Sequence, residues 1–374
     1  MFKINYPNSG QNKANFEDDF YKSLHYVNET NINTHLANIN NNGASINFRQ
    51  LICLPFQELL DWRTPISDYA ITLNTLANNI ISNSFTDLFY YSKNQPSIAN
   101  FFMKQEALDL KTCQYCGIDY INAFKDIGDY KDEIDFLNRA DKNDLEKIKF
   151  IGNSASTKVI NYRLKKVITS LVDSGLGKRQ QQNVKNFNIG NTHNHFTLDH
   201  VLPQKDNKFF SLCLYNLVPS CYSCNSKFKK ALNFNNYNSL DQVSPTSASY
   251  TLDKDIVFKL YYSGSLKDIL SKFDFNLDIK ELNNNQHTSR YLEMFKLKGR
   301  YTFHKNKALH LIKQKNNYPD SMIKDISLRT GLPIIEVKKL VFGEELFVKQ
   351  FNNEPLVKFK RDVAKNIGIK DVLD

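Results

Sequence analysis

Two cysteine pairs, Cys113-Gln-Tyr-Cys116 and Cys221-Tyr-Ser-Cys224, constrain this chain more than any other feature. Two residues separate the thiols in each pair, a spacing at which a tight turn aims both sulfurs at one point. Two such turns complete a tetrahedral four-sulfur site, the closed geometry of structural zinc. Gly117 follows the first pair, where a knuckle turn favours the positive φ that glycine adopts without strain. The bland alternative is a set of ordinary buried thiols. A redox role fits less well, because neither pair opens a helix within a βαβ unit. More than a hundred residues lie between the pairs, so a shared ion must tie distant segments together and close a long loop. Cys53 and Cys213 lack such a partner and read as core residues.

Metal ligation requires reduced thiols. The first twenty residues, MFKINYPNSGQNKANFEDDF, carry no apolar run and no small-residue cleavage site, so no signal peptide is expected there. No stretch reaches the ~18 consecutive apolar residues of a membrane span. The expectation is a cytoplasmic protein with no membrane partner, where thiols stay reduced. Hydrophobic residues make up 41% of the 374, enough for a substantial core. Lysine and arginine outnumber acidic residues by 49 to 39, a net charge of +10 that suits a polyanionic partner.

Hydropathy patterning divides the chain into a helical N-terminal region at 1–110, a cysteine-bearing core at 111–240 with a helical insertion at 125–190, and a mainly helical C-terminal region at 241–374. The asparagine-rich residues 1–50 read either as a loosely ordered arm or simply as the coding bias of an AT-rich genome. Ser67 is placed to cap a helix with Ala70, Leu73, Leu76, Ala77, Ile80 and Ile81 on one face. In the insertion, Ile160, Leu164, Val167, Ile168 and Leu171 recur at helical spacing and Gly175 and Gly177 end the run. The polar KRQQQNVKNFNIGN reads as a loop and DIVFKLYY as a strand. Leu292, Phe295, Ala308, Leu309 and Ile312 are the apolar positions of the C-terminal helices. Tyr115 and Tyr222, inside the knuckles, read as packing residues.

Around the second pair runs FTLDHVLPQ, then LCLYNLVPSCYSCNSKFKKA. Phe196–Leu202 alternates as a strand with Asp199 and His200 near its end, Tyr215–Pro219 is a second short strand or turn, and Cys221–Ala231 has the length of one helix. Metal-assisted phosphodiester hydrolysis needs residues of these types. A carboxylate such as Asp199 and an amide oxygen such as that of Asn225 suit Mg²⁺ or Mn²⁺. Histidine titrates near neutral pH, so His200 can take a proton from an attacking water. Its ring needs a fixed tautomer, which a neighbouring carbonyl or amide such as Asn216 can supply. Lys227, Lys229 and Lys230 are placed to hold backbone phosphates, against the plain reading of a solvated face.

These residues resemble the HNH endonucleases of the ββα-metal fold. Asp199-His200 matches the family's Asp-His on its first strand, Asn216 its middle asparagine, and Asn225 its last position. The resemblance covers 113–124 and 195–232. It implies an α+β chain in which a small ββα-metal core with a four-cysteine zinc site is embedded in mainly helical flanks. It further implies that Asp199 and Asn225 bind a catalytic Mg²⁺ or Mn²⁺, that His200 is the general base, and that Asn216 orients it. In that family the first cysteine pair lies nearer the Asp-His strand, so 125–190 must loop out. The phrases YIN and YNLVPSC resemble bacterial defence-associated HNH proteins, some of which act beside an ATPase partner. The leading expectation is a metal-dependent endonuclease, with DNA favoured over RNA as substrate. The competing expectations are a zinc-held module that binds nucleic acid without cutting it, and an effector silent without its partner protein.

Overall fold

Helices make up most of the described chain, and three short two-stranded antiparallel sheets lie between them. The computed structural model describes residues 3–7, 9–76, 88–125, 128, 130–187, 192–229, 240–283 and 285–373. It is a mixed α+β chain. By compactness it divides into two units, 1–122 with 196–374, and 123–195. No helix among the described residues is long and apolar enough to cross a membrane.

The larger unit has one continuous core drawn from both ends of the chain. Residues 10–36 are helical, at Gly10–Ser23 and Glu29–Leu36, and bury Phe16, Phe20, Ile32 and Leu36, so the arm expected there is an ordered part of the core. Asparagine richness hid this because the helices need only a narrow apolar stripe. The next long helix spans Phe56–Leu76, and Ser67 lies inside it rather than capping it. Pro65 also lies inside. Leu59, Trp62 and Ile66 form one buried face, and their burial offsets the hydrogen bond that the proline removes. Ala77, Ile80 and Ile81 lie outside the described residues. In the C-terminal half, Leu292, Phe295, Ala308 and Ile312 are buried as their spacing predicts, with Leu309 packed at the edge.

Strand β3 (Thr197–His200) pairs with β4 (Leu217–Ser220), with Asp199 opposite Val218 and His200 opposite Leu217. The connection between them exposes Gln204, Lys205, Asp206 and Lys208 and buries its second half through Phe209, Phe210, Leu212, Cys213 and Leu214. A π-helical stretch, Ser223–Lys229, follows β4. Strand β5 (Ile256–Tyr262) stands where DIVFKLYY predicts one and pairs with β6 (Phe275–Glu281).

The smaller unit opens on β1 (Ala123–Lys125) and closes on β2 (Thr192–Asn194), which pair with each other, so the excursion begins and ends at one place. Its own core joins Phe136, Leu137, Leu145, Ile148, Val159 and Val184. Its central helix is Asn153–Lys165, shorter than the spacing predicts, and Leu164 and Val167 are exposed. Ile168 is buried from the segment after the helix instead. The stretch read as a polar loop forms the helix Lys178–Asn186, anchored by Val184.

Candidate functional site

The sulfurs of Cys113, Cys116, Cys221 and Cys224 all lie within 4.8 Å of one another, and all four residues are buried. Sulfurs at ~2.3 Å from a tetrahedral zinc stand ~3.8 Å apart; Cys116 Sγ and Cys221 Sγ are 4.0 Å apart. The donor set therefore fits a metal such as zinc and is closed, with four protein ligands and no open position. The first knuckle is shaped by Gly117, whose φ of 63° lies in the left-handed region and whose N–H donates to the Cys113 carbonyl at 2.8 Å. Ile118 N–H donates to Cys116 Sγ at 3.4 Å. Burial raises the thiols of Cys113 and Cys224. At Cys116 burial acts the same way, but hydrogen bonds from the other three cysteines and the charge of Arg300 outweigh it and hold the group low. Arg300 donates to Cys224 Sγ and to Asp119 Oδ2, both at 3.2 Å, and so offsets the thiolate charge that a metal would leave uncompensated.

The C-terminal half also holds the first knuckle by its backbone. Tyr291 Oη donates to the Tyr115 carbonyl at 2.7 Å and Tyr301 Oη to the Cys116 carbonyl at 2.6 Å. Leu356 N–H donates to the Gly117 carbonyl at 2.7 Å.

Beside the cluster, β3, the connection after it and the π-helical stretch line a cavity of about 350 Å³. Asp199, His200, Asn225 and Lys229 share it with Tyr91, Gln95 and Gln204. Three of the four residues expected at the site therefore come together. His200 is buried, its ring lies edge-on to Tyr91 at 4.5 Å, and its Nε2 is 3.0 Å from the Ser211 carbonyl. A carbonyl only accepts, so Nε2 carries the proton and the Nδ1 lone pair is uncommitted. Burial lowers the imidazole pKa to about 4 despite the opposing effects of the Ser211 carbonyl and Asp199. The ring is neutral at physiological pH.

Asn216, the fourth residue, spends its side-chain amide on the backbone. Its Oδ1 accepts from Leu202 N–H at 2.7 Å, and its Nδ2 donates to the Leu202 and Phe210 carbonyls at 3.3 and 3.0 Å. It ties the two ends of the β3–β4 connection together, and the Ser211 carbonyl orients the histidine. Sequence alone cannot find a backbone carbonyl acting in this way, because any residue type supplies one. Asn216→Ala is expected to lower stability by about 2–3 kcal/mol by orphaning buried backbone groups. Denaturant unfolding checks this, and an unchanged midpoint contradicts the tether.

The lysines divide. Lys227 is exposed on the π-helical stretch. Lys230 lies outside the described residues. Lys229, expected to meet phosphate, is 1% exposed, and its Nζ lies 3.0 Å from Asp199 Oδ2 and 2.7 Å from the His200 carbonyl. It is buried on the same stretch as Cys224, where only an opposite charge makes burial of an ammonium tolerable. Tyr115 also exceeds its packing role. Burial and the Asp199 charge keep its phenol protonated, and it donates to Asp199 Oδ2 at 2.5 Å while stacking on Phe295. Each knuckle therefore delivers one partner to Asp199, the first Tyr115 and the second Lys229. Tyr222, by contrast, is 71% exposed and packs little.

The His200 shift has a consequence for stability. The unfolded imidazole takes its proton near pH 6.5 and the folded one near pH 4. The contribution is fully present above pH 6.5, falls as pH drops from 6.5 towards 4, and then levels off, a total of about 3 kcal/mol. Denaturation of wild type and His200→Gln across this window is expected to show a difference that shrinks as pH falls. A constant difference contradicts a neutral buried ring.

No protein-family model, curated protein or solved structure matches this chain.

Proposed function

We propose that this chain is an HNH-type endonuclease that hydrolyses DNA phosphodiesters, with His200 as general base. The observation that carries the reading is the His200 imidazole: one nitrogen is committed to the Ser211 carbonyl and the other is free, in a cavity that also holds Asp199, Asn225 and Lys229. The order strand, connection, strand, helical stretch, with a four-cysteine cluster beside it, supports a ββα core of the zinc-bearing kind. In the reaction, Nδ1 takes a proton from water, the resulting hydroxide attacks phosphorus, and the bond to the leaving sugar oxygen breaks. That oxygen then takes a proton from solvent. Exposed Lys227 and the net charge of +10 favour a polyanionic substrate. Action in anti-phage defence, beside an ATPase partner, belongs to the same proposal and rests on the YIN and YNLVPSC phrases.

A divalent ion at Asp199 and Asn225 does not fit the arrangement, because the Lys229 ammonium already sits against both Asp199 oxygens, at 3.2 and 3.0 Å. No step is derived through such an ion. The same observation favours a second reading, a zinc-held module that grips nucleic acid without cutting it.

Incubation of the purified protein with supercoiled plasmid, single-stranded DNA and RNA, with Mn²⁺ or with chelator, separates the two. Nicked or linear plasmid is the expected product. Tight, salt-sensitive binding with no cleavage under any of these conditions replaces the nuclease by the binding module.

A further inference from the structure

The motif around Asp199 leads one to expect a divalent cation, yet the chain puts a cation of its own there. Lys229 is almost fully enclosed, and its ammonium donates to Asp199 Oδ1 at 3.2 Å and to the His200 carbonyl at 2.7 Å while lying 3.0 Å from Asp199 Oδ2. Tyr115 Oη fills a further position on Oδ2. Asp199 thus has its charge cancelled and both its oxygens in use.

We infer that Lys229 is the resident cation of this site and excludes a divalent ion from Asp199. The charge count supports this. The Lys229 ammonium lies 3.0 and 3.2 Å from the two Asp199 oxygens, so the two opposite charges sum to zero. A divalent ion entering beside them finds no net negative charge. It binds only by expelling Lys229, whose two hydrogen bonds and ion pair form in a low-dielectric setting where a separated charge is costly. The lysine is also poorly placed to leave. It lies on a seven-residue π-helical stretch that carries Cys224, so the cluster anchors the same element.

The inference rests on Asp199 as the carboxylate of the proposed site, but not on hydrolysis occurring, so metal binding tests it apart from activity. Mn²⁺ binding to the zinc-loaded protein can be followed by electron paramagnetic resonance, since a hard ion does not compete for thiolates. Wild type is expected to show no Mn²⁺ site tighter than about 1 mM. Lys229→Met is expected to gain one site roughly 100-fold tighter, which Asp199→Asn in the same background removes. A wild-type site that Asp199→Asn abolishes and Lys229→Met leaves unchanged overturns the inference, as does no gain in Lys229→Met. If the variant does not fold, wild type alone still decides. Lys229 should resist amine acetylation equally with and without Mn²⁺, and exposure of Lys229 by Mn²⁺ overturns the proposal.

Discussion

Cys224→Ser is expected to lose bound zinc, from about one equivalent to none, and with it the cooperative fold of the larger unit. The four sulfurs lie within 4.8 Å and every one is buried, so serine leaves three thiols without a closed tetrahedron. Structural zinc contributes on the order of 10 kcal/mol to folding in small zinc domains, comparable to the ~5–15 kcal/mol total stability of a typical protein. Here the ion joins segments more than a hundred residues apart, so its loss also returns a long loop's closure entropy to the unfolded chain. The damage does not stay local. Tyr291, Tyr301 and Leu356 all bond to backbone carbonyls of the first knuckle, and these belong to the core shared by both ends of the chain. Metal analysis and denaturant unfolding check the outcome together. A variant with a full equivalent of zinc and an unchanged midpoint removes the four-cysteine site.

What the sequence disclosed and what it withheld follow from the range of the forces involved. The cysteine pairs were legible because ligand spacing is a local property, and each knuckle is closed by bonds within a few residues, such as Gly117 N–H to Cys113. The convergence of Asp199, His200 and Asn225 was legible for a similar reason, since all three sit on β3 or just after β4. Asn216 is placed by motif position and Lys229 by its place on the helix after Cys221, and neither criterion reveals which contacts the side chain makes. Motif position does not reveal that Asn216 spends its amide on the Leu202 and Phe210 backbone. Nor does it show a lysine folding back thirty residues in sequence to meet Asp199. The buried helices of 10–36 escaped notice because asparagine suppresses mean hydropathy while leaving Phe16, Phe20, Ile32 and Leu36 at helical spacing. Tyr115 carried one usable signal, an aromatic phenol inside a knuckle, but its partner Asp199 lies 84 residues away.

The second large effect concerns His200. His200→Ala is expected to lower DNA cleavage by roughly 10²- to 10⁴-fold, the range typical of a positioned general base, while the cysteine cluster and its metal content stay intact. The substitution leaves the Ser211 carbonyl without its partner, at a cost of about 1–3 kcal/mol, so folded protein must be verified by its thermal transition before rates are compared. Undiminished cleavage by folded His200→Ala discards the base assignment. The pH profile is a sharper test, because it distinguishes this buried ring from an exposed one. An ordinary imidazole titrates near pH 6.5, whereas burial lowers this one to about 4, so with His200 as the proposed base the unliganded site would keep it deprotonated far into acid. The acid limb of kcat/KM, which reports the free enzyme, is expected near pH 4. A phosphate entering the cavity brings negative charge beside the ring and favours its protonated form. The acid limb of kcat is therefore expected at higher pH than that of kcat/KM. Coincident limbs near pH 6.5 would mean that the ring is solvated in solution, and the buried geometry that supports the proposed chemistry would fall with it.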